Sequence, residues 1–161
     1  KGGAILISNH TSWLDPLILA VAAHRPIAFM AKEELFRGPL ITWFLKQLHA
    51  FPVQRGEGDR RALRSAQKVL QKGGVLGLFP EGTRNDGELL PFQKGAALIA
   101  LRADVPILPV GIVWKGKKTC VIMGEPVKKS GTSKLNREEV NGLNHQLEER
   151  VAAILKAGKD F

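Results

Sequence analysis

Short, nearly continuous apolar runs alternate with helical patterns along the whole chain, and this alternation restricts the fold more than any other feature. The runs at residues 4–8, 27–31, 50–53, 75–79, 106–113 and 119–123 read as strands. The segments 16–23, 39–48, 59–72, 93–102 and 136–156 read as helices. Successive side chains of a strand point to opposite faces, so a run that is apolar throughout must be covered on both sides. The helices between the runs are the available covers. The expected fold is therefore α/β, with a mixed, mostly parallel central sheet flanked by helices. No internal repeat or linker divides the chain, so residues 1–161 read as a single domain, long enough for a real hydrophobic core.

Local signals agree with the alternation. Asp15-Pro16 reads as a helix start, with a capping carboxylate and a proline at the first helical position. Asp59 is placed to cap the third helix and Gly73-Gly74 to end it. Asn136 with Glu139 forms a capping pair. In the last helix Val140, Leu143, Leu147, Val151, Ile154 and Leu155 make one apolar stripe, expected to pack on the core.

The formal net charge of +9 implies an anionic partner: nucleic acid, phospholipid headgroups, a phosphorylated substrate or an acidic carrier protein. Cys120 is the only cysteine, which excludes an internal disulfide and favours an intracellular setting. No uncharged apolar run reaches the roughly 18 residues of a membrane span. The chain opens at Lys1 and enters a strand almost at once, so a further N-terminal, membrane-associated segment is expected upstream.

Chemistry concentrates where strands end. Asn9-His10-Thr11-Ser12-Trp13-Leu14-Asp15 follows the first strand and sets a histidine five positions before an aspartate. A carboxylate beside an imidazole fixes its tautomer and stabilises the imidazolium, which makes a general base. Taken alone, the pair also fits a capping aspartate next to a loop histidine. Two zinc ligands would need a cysteine cluster or a His-Glu helix pair beside them. Phe79-Pro80-Glu81-Gly82-Thr83-Arg84-Asn85 follows the fourth strand. There Gly82 permits close backbone approach to an anion, Thr83 adds a hydroxyl and Arg84 a guanidinium fork, although a simple polar turn has the same composition. Arg55 follows the third strand, and Lys94 opens the fourth helix, where the helix dipole favours anions. Val105-Pro106-Ile107-Leu108-Pro109-Val110 reads as a supporting strand.

In this order the blocks resemble the glycerolipid acyltransferase family, most closely its bacterial 1-acyl-glycerol-3-phosphate acyltransferase branch. Asn9, His10, Ser12 and Asp15 match N-H-x-S-x-x-D, and Arg55 matches the arginine of the second block. Phe79 to Arg84 match F-P-E-G-T-R, with Asn85 in place of serine, and Val105 to Val110 match V-P-I-x-P-V. Phe92, Lys94, Gly95 and Ala96 match a further segment, and Gln54 stands where many members carry aspartate. The resemblance implies a glycerol-3-phosphate acyltransferase-like fold. It also implies transfer of a fatty acyl group from acyl-CoA or acyl-carrier protein to the sn-2 hydroxyl of lysophosphatidate, giving phosphatidate.

Under that resemblance His10 is the catalytic base and Asp15 orients it. The substrate phosphate falls to Arg55, Glu81, Gly82, Thr83, Arg84 and Lys94. Within that set Glu81 is expected to orient Arg84 or another donor rather than touch phosphate. No cofactor or metal is implied. Ser12 is the weaker candidate as a nucleophile, since no nucleophile elbow surrounds it. The expected partners are lysophosphatidate, the acyl donor and an anionic membrane surface at the cytoplasmic face of the cell membrane. Trp43, Phe44, Leu45 and Lys46 are placed to reach lipid, or else to pack in the core. Other acceptors stay open: glycerol-3-phosphate, another lysophospholipid or a lyso-aminolipid. A basic lipid-binding or nucleic-acid-binding domain is the non-enzymatic alternative. The latter is disfavoured, because basic strands interleaved with aromatic residues are missing and tyrosine is absent.

Overall fold

A computed structural model describes residues 2–53, 60–127 and 136–160. The strands are β1 (Ala4–Ser8), β2 (Ile27–Lys32), β3 (Ala50–Val53), β4 (Val75–Leu78), β5 (Ile107–Lys115) and β6 (Lys118–Met123). The helices are α1 (Asp15–Ala23), α2 (Pro39–Gln47), α3 (Arg60–Gln71), α4 (Lys94–Arg102) and α5 (Arg137–Ala157). The sheet order is β3-β2-β4-β1-β5-β6. All neighbours pair in parallel except β5 and β6, which form an antiparallel hairpin. The expected mixed, mostly parallel sheet is thus the observed one.

Helices cover both faces, as the apolar strands require. Ile5, Ile7, Leu76, Leu78 and Ile107 face α3, α4 and α5, which bury Ala66, Leu70, Ala97, Ala100, Leu147 and Val151 against them. Leu6, Ile27, Phe29, Val75, Val110 and Ile112 form the other layer with Leu19 of α1. The stripe on α5 does pack on the core. Asn136 caps that helix, accepting the Glu139 amide at 2.7 Å. Gly73, at φ +74, ends α3, and the Gly73 and Gly74 amides return to Leu70 and Val69. The expected cap Asp59 lies outside the described residues.

Beyond shifts of a residue at element ends, α2 and β5 differ from expectation. α2 buries no residue, and Leu40, Ile41, Trp43 and Phe44 are exposed. Leu45 is half-buried, but no residue of this helix enters the core. β5 continues to Lys115, beyond the expected end at residue 113. Among the described residues no helix is long and apolar enough to cross a membrane.

Gly77, in β4, has a specific packing role. A Cβ there would run into the Phe29 ring and Ile27 on the neighbouring strand. Gly77→Ala is expected to cost about 1–3 kcal/mol, the usual penalty for overpacking a tight core. Urea unfolding of the variant against the parent chain measures this, and an unchanged midpoint would contradict it.

Sheet order also defines where the site lies. β1 and β4 are parallel neighbours, yet the chain leaves β1 toward α1 on one face and leaves β4 toward α4 on the other. Open α/β sheets bind ligands at the carboxyl ends of strands where the connections part in this way.

Candidate active site

The loops after β1 and β4 emerge side by side and are stitched together. The His10 amide donates to Glu81 Oε1 at 2.8 Å, and the His10 carbonyl accepts from the Asn85 amide at 2.8 Å. Glu81 is buried, and its other oxygen accepts from the Asn85 side-chain amide and from Leu90 N–H at 2.8 Å. Glu81 therefore orients donors, as expected, but these are His10, Asn85 and Leu90 backbone or amide groups. As a direct phosphate ligand it is misplaced, because its oxygens are turned into the protein and already taken. Asn85 is likewise buried, with its carbonyl oxygen accepting from Gly87 N–H at 2.8 Å.

On its other side the β1 loop is clamped to β5. The Asn9 amide donates to the Ile112 carbonyl at 2.9 Å, and the Ile112 amide donates back to Asn9 Oδ1 at 2.8 Å. This two-way bond substitutes for sheet pairing just past the end of β1.

His10 and Asp15 are brought together at 2.9 Å, Nδ1 to Oδ2. Asp15 is fully buried. Its Oδ2 also accepts the Thr11 and Ser12 amides, each at 2.7 Å, and its Oδ1 accepts the Trp114 indole N–H at 3.0 Å. Burial alone would raise the carboxyl's pKa. The hydrogen bonds from His10, Ser12, Trp114 and Thr11 outweigh it and hold Asp15 below its ordinary value. The carboxylate is therefore ionised at neutral pH.

Asp15 was expected to cap α1. It is instead the first helical residue, the cap position is Leu14, and no side chain caps this helix end. The reason is competition: the loop amides, the histidine and the indole together take both carboxylate oxygens. Ser12 Oγ accepts the Leu14 amide at 3.2 Å, a turn-stabilising bond rather than a link to His10.

With Nδ1 donating to Asp15, the lone pair of the neutral His10 ring resides on Nε2. The ring stacks on Phe79 with centroids 4.2 Å apart, and Phe79 in turn stacks on Phe29 at 5.9 Å. Phe79 belongs to the turn rather than to β4, which ends at Leu78. Gly77 makes room for Phe29, so the packing of β2 and β4 reaches the imidazole through two rings.

The candidate anion ligands surround this pair unevenly. Gly82 has φ +69, and a Cβ on it would strike the Gln93 side chain. Gln93 clasps the turn, its backbone N–H donating to the Pro80 carbonyl at 2.8 Å and its side-chain amide to the Glu81 carbonyl at 3.3 Å. The next residue, Lys94, is exposed at the first position of α4. Thr83 is exposed, and the exposed Arg84 places its guanidinium 4.0 Å above the Trp13 ring in the β1 loop. Arg84 is thereby held on the His10 side of the turn. Arg55 lies outside the described residues. Trp114, Asn85, Asn9, Phe79 and Gln93 are positions the sequence left without a role at this site.

A family model described as Acyltransferase matches residues 1–113. The chain is 31% identical over 162 residues to a 1-acyl-sn-glycerol-3-phosphate acyltransferase of Bacillus subtilis, covering 94% of this chain and 81% of that protein. It is 37% identical over 112 residues to a lyso-ornithine lipid O-acyltransferase of Pseudomonas aeruginosa, covering 68% of this chain and 42% of that protein. The fold is similar to the crystal structure of the 1-acyl-sn-glycerophosphate acyltransferase PlsC from Thermotoga maritima. The TM-score is 0.74 at 32% identity, over 99% of this chain and 67% of that one. With the family model spanning β1 through most of β5, and the paired histidine and carboxylate seated in the first of its loops, the chain belongs to the acyltransferase family.

Proposed function

We propose that the protein transfers a fatty acyl group from a thioester donor, acyl-CoA or acyl-carrier protein, to the sn-2 hydroxyl of 1-acyl-glycerol-3-phosphate, forming phosphatidate. The observation that carries this reading is the His10 Nδ1–Asp15 Oδ2 bond of 2.9 Å on a buried, ionised carboxylate. It orients Nε2 to take the acceptor's hydroxyl proton as the oxygen attacks the thioester carbonyl. Collapse of the tetrahedral intermediate expels the thiolate, which takes the proton back from the imidazolium. Asp15 stabilises the imidazolium between the two steps. No covalent acyl-enzyme is required.

The acceptor phosphate is assigned to Arg84, Lys94, Thr83 and the Gly82 turn, with Arg55 as a further cation. Holding the phosphate turns a chance encounter into a positioned one. Under this reading the enzyme works at the cytoplasmic face of the cell membrane, against anionic headgroups that meet its net charge of +9. Exposed Trp13, Leu14, Leu17 and Val21 around α1, with Leu40, Ile41, Trp43 and Phe44 on α2, support contact with lipid.

The test is an acyl-transfer assay with lysophosphatidate and labelled donor, run beside lyso-ornithine lipid because of the Pseudomonas relative. Phosphatidate as the favoured product supports the reading, and preference for the other acceptor overturns it. Arg84→Ala is expected to raise the KM for lysophosphatidate about tenfold or more, the scale of one charge-assisted contact. The KM for the donor should stay within about twofold on the same grounds. Equal losses for both substrates would remove Arg84 from the phosphate site.

A further inference from the structure

We infer that Trp114 is a positioning residue for the reaction, acting through Asp15 on His10. The inference rests on the reading of His10 as the base.

Oδ2 of Asp15 takes three donors: His10 Nδ1, Thr11 N–H and Ser12 N–H. All three therefore hold one oxygen, and all from one loop. Oδ1 is tied to the Trp114 indole at 3.0 Å, a partner 99 residues away on β5. Anchoring the second oxygen from a different element adds an independent restraint on carboxylate rotation, which helps keep the lone pair of Oδ2 aimed at Nδ1.

Sheet architecture makes the contact possible. β5 is parallel to β1 and has Val110 beside Ser8, the last residue of β1. β5 then runs five residues further, to Lys115, alongside the β1 loop. Ile112 clamps Asn9 on that extension, and Trp114, two residues on, points to the same side and meets Asp15. Its half-buried ring packs beside the layer of Leu19 and Ile112, so the indole cannot swing away freely. Indole N–H is a donor only, with no acceptor face and no titration in the working pH range. It therefore holds Asp15 without competing for the proton on His10.

Trp114→Phe keeps an aromatic ring in the same packing and deletes the donor. The variant is expected to lower kcat about tenfold, the worth of one hydrogen bond to a charged group. The KM values for both substrates should be unchanged. In an Asp15→Asn background the same substitution should cost no more than about twofold, because residues acting as one unit are not additive. A spectroscopic signature needs no variant at Trp114 to fold well: the Trp114 indole N–H resonance of the parent protein should move upfield in Asp15→Asn. It is assigned as the indole signal lost in Trp114→Phe or, failing that, as the one unaffected in Trp13→Phe and Trp43→Phe.

An unchanged kcat in Trp114→Phe would overturn the inference. So would a loss carried by KM, a fully additive double variant or a stationary indole resonance. If Asp15→Asn itself left kcat intact, the reading of the His10–Asp15 pair would fail. A damaging Asp15→Asn beside a silent Trp114→Phe would sink only the role of Trp114.

Discussion

His10→Ala is expected to lower kcat by about 10²–10⁴, the range that a positioned general base supplies. An alcohol is a poor nucleophile near neutral pH, and the proposed site has one oriented group to take its proton. The substitution removes the imidazole but leaves the backbone bonds of residue 10 to Glu81 and Asn85, which do not depend on the side chain. The two loops should therefore stay joined, and the thermal midpoint should fall by only a few degrees. Single-turnover acyl transfer with saturating donor measures the chemical step. Near-normal turnover in this variant would dismiss His10 as the base.

Asp15→Asn is the second large effect, and it acts on stability as well as rate. The carboxylate accepts four donors in a buried site. An asparagine amide carries one accepting and one donating end, so in either orientation its NH₂ faces an N–H group. The mismatch is expected to cost about 1–3 kcal/mol, the penalty for leaving a buried polar group unsatisfied. Misaiming the imidazole should lower kcat on the order of 10²-fold, as small displacements of a reacting group do.

The pH dependence separates Asp15 from a merely structural residue. Its folded-state pKa lies below the ordinary value of 3.8. The bonded, ionised form therefore contributes stability that is fully present above the unfolded pKa and is lost as pH falls through the folded one. Unfolding free energy should decline as pH falls below the unfolded-state value and on through the lowered folded-state one, with a shallower decline in Asp15→Asn. Urea titrations at successive pH values give both slopes, and parallel slopes would contradict the assignment.

The architecture was legible because its signals are local. Each apolar run became a strand, and Gly73 and Asn136 act where their types predict. The His10–Asp15 pair was legible for the same reason: both residues sit in one loop, five positions apart. The capping role assigned to Asp15 was not borne out, because capping preference describes a carboxylate with no better offer. Four donors outbid the helix end, and one of them, Trp114, comes from a strand whose place beside β1 depends on sheet order. Asn85 and Glu81 were hard to read for a related reason. In a turn sequence they pass for solvent-facing groups, and only the adjacency of β1 and β4 turns them inward.

The bonds between the backbone of His10 and the Glu81–Asn85 turn also bear on how such an enzyme can change over evolution. A group that binds substrate and a group that performs chemistry would drift independently if each had its own scaffold. Here residue 10 is held by Glu81 and Asn85 at both its amide and its carbonyl. Exchanging the turn proposed to hold the acceptor would disturb the proposed base, and exchanging the β1 loop would disturb the turn. The two segments form one heritable unit, so a graft intended to change the accepted lipid would have to carry both.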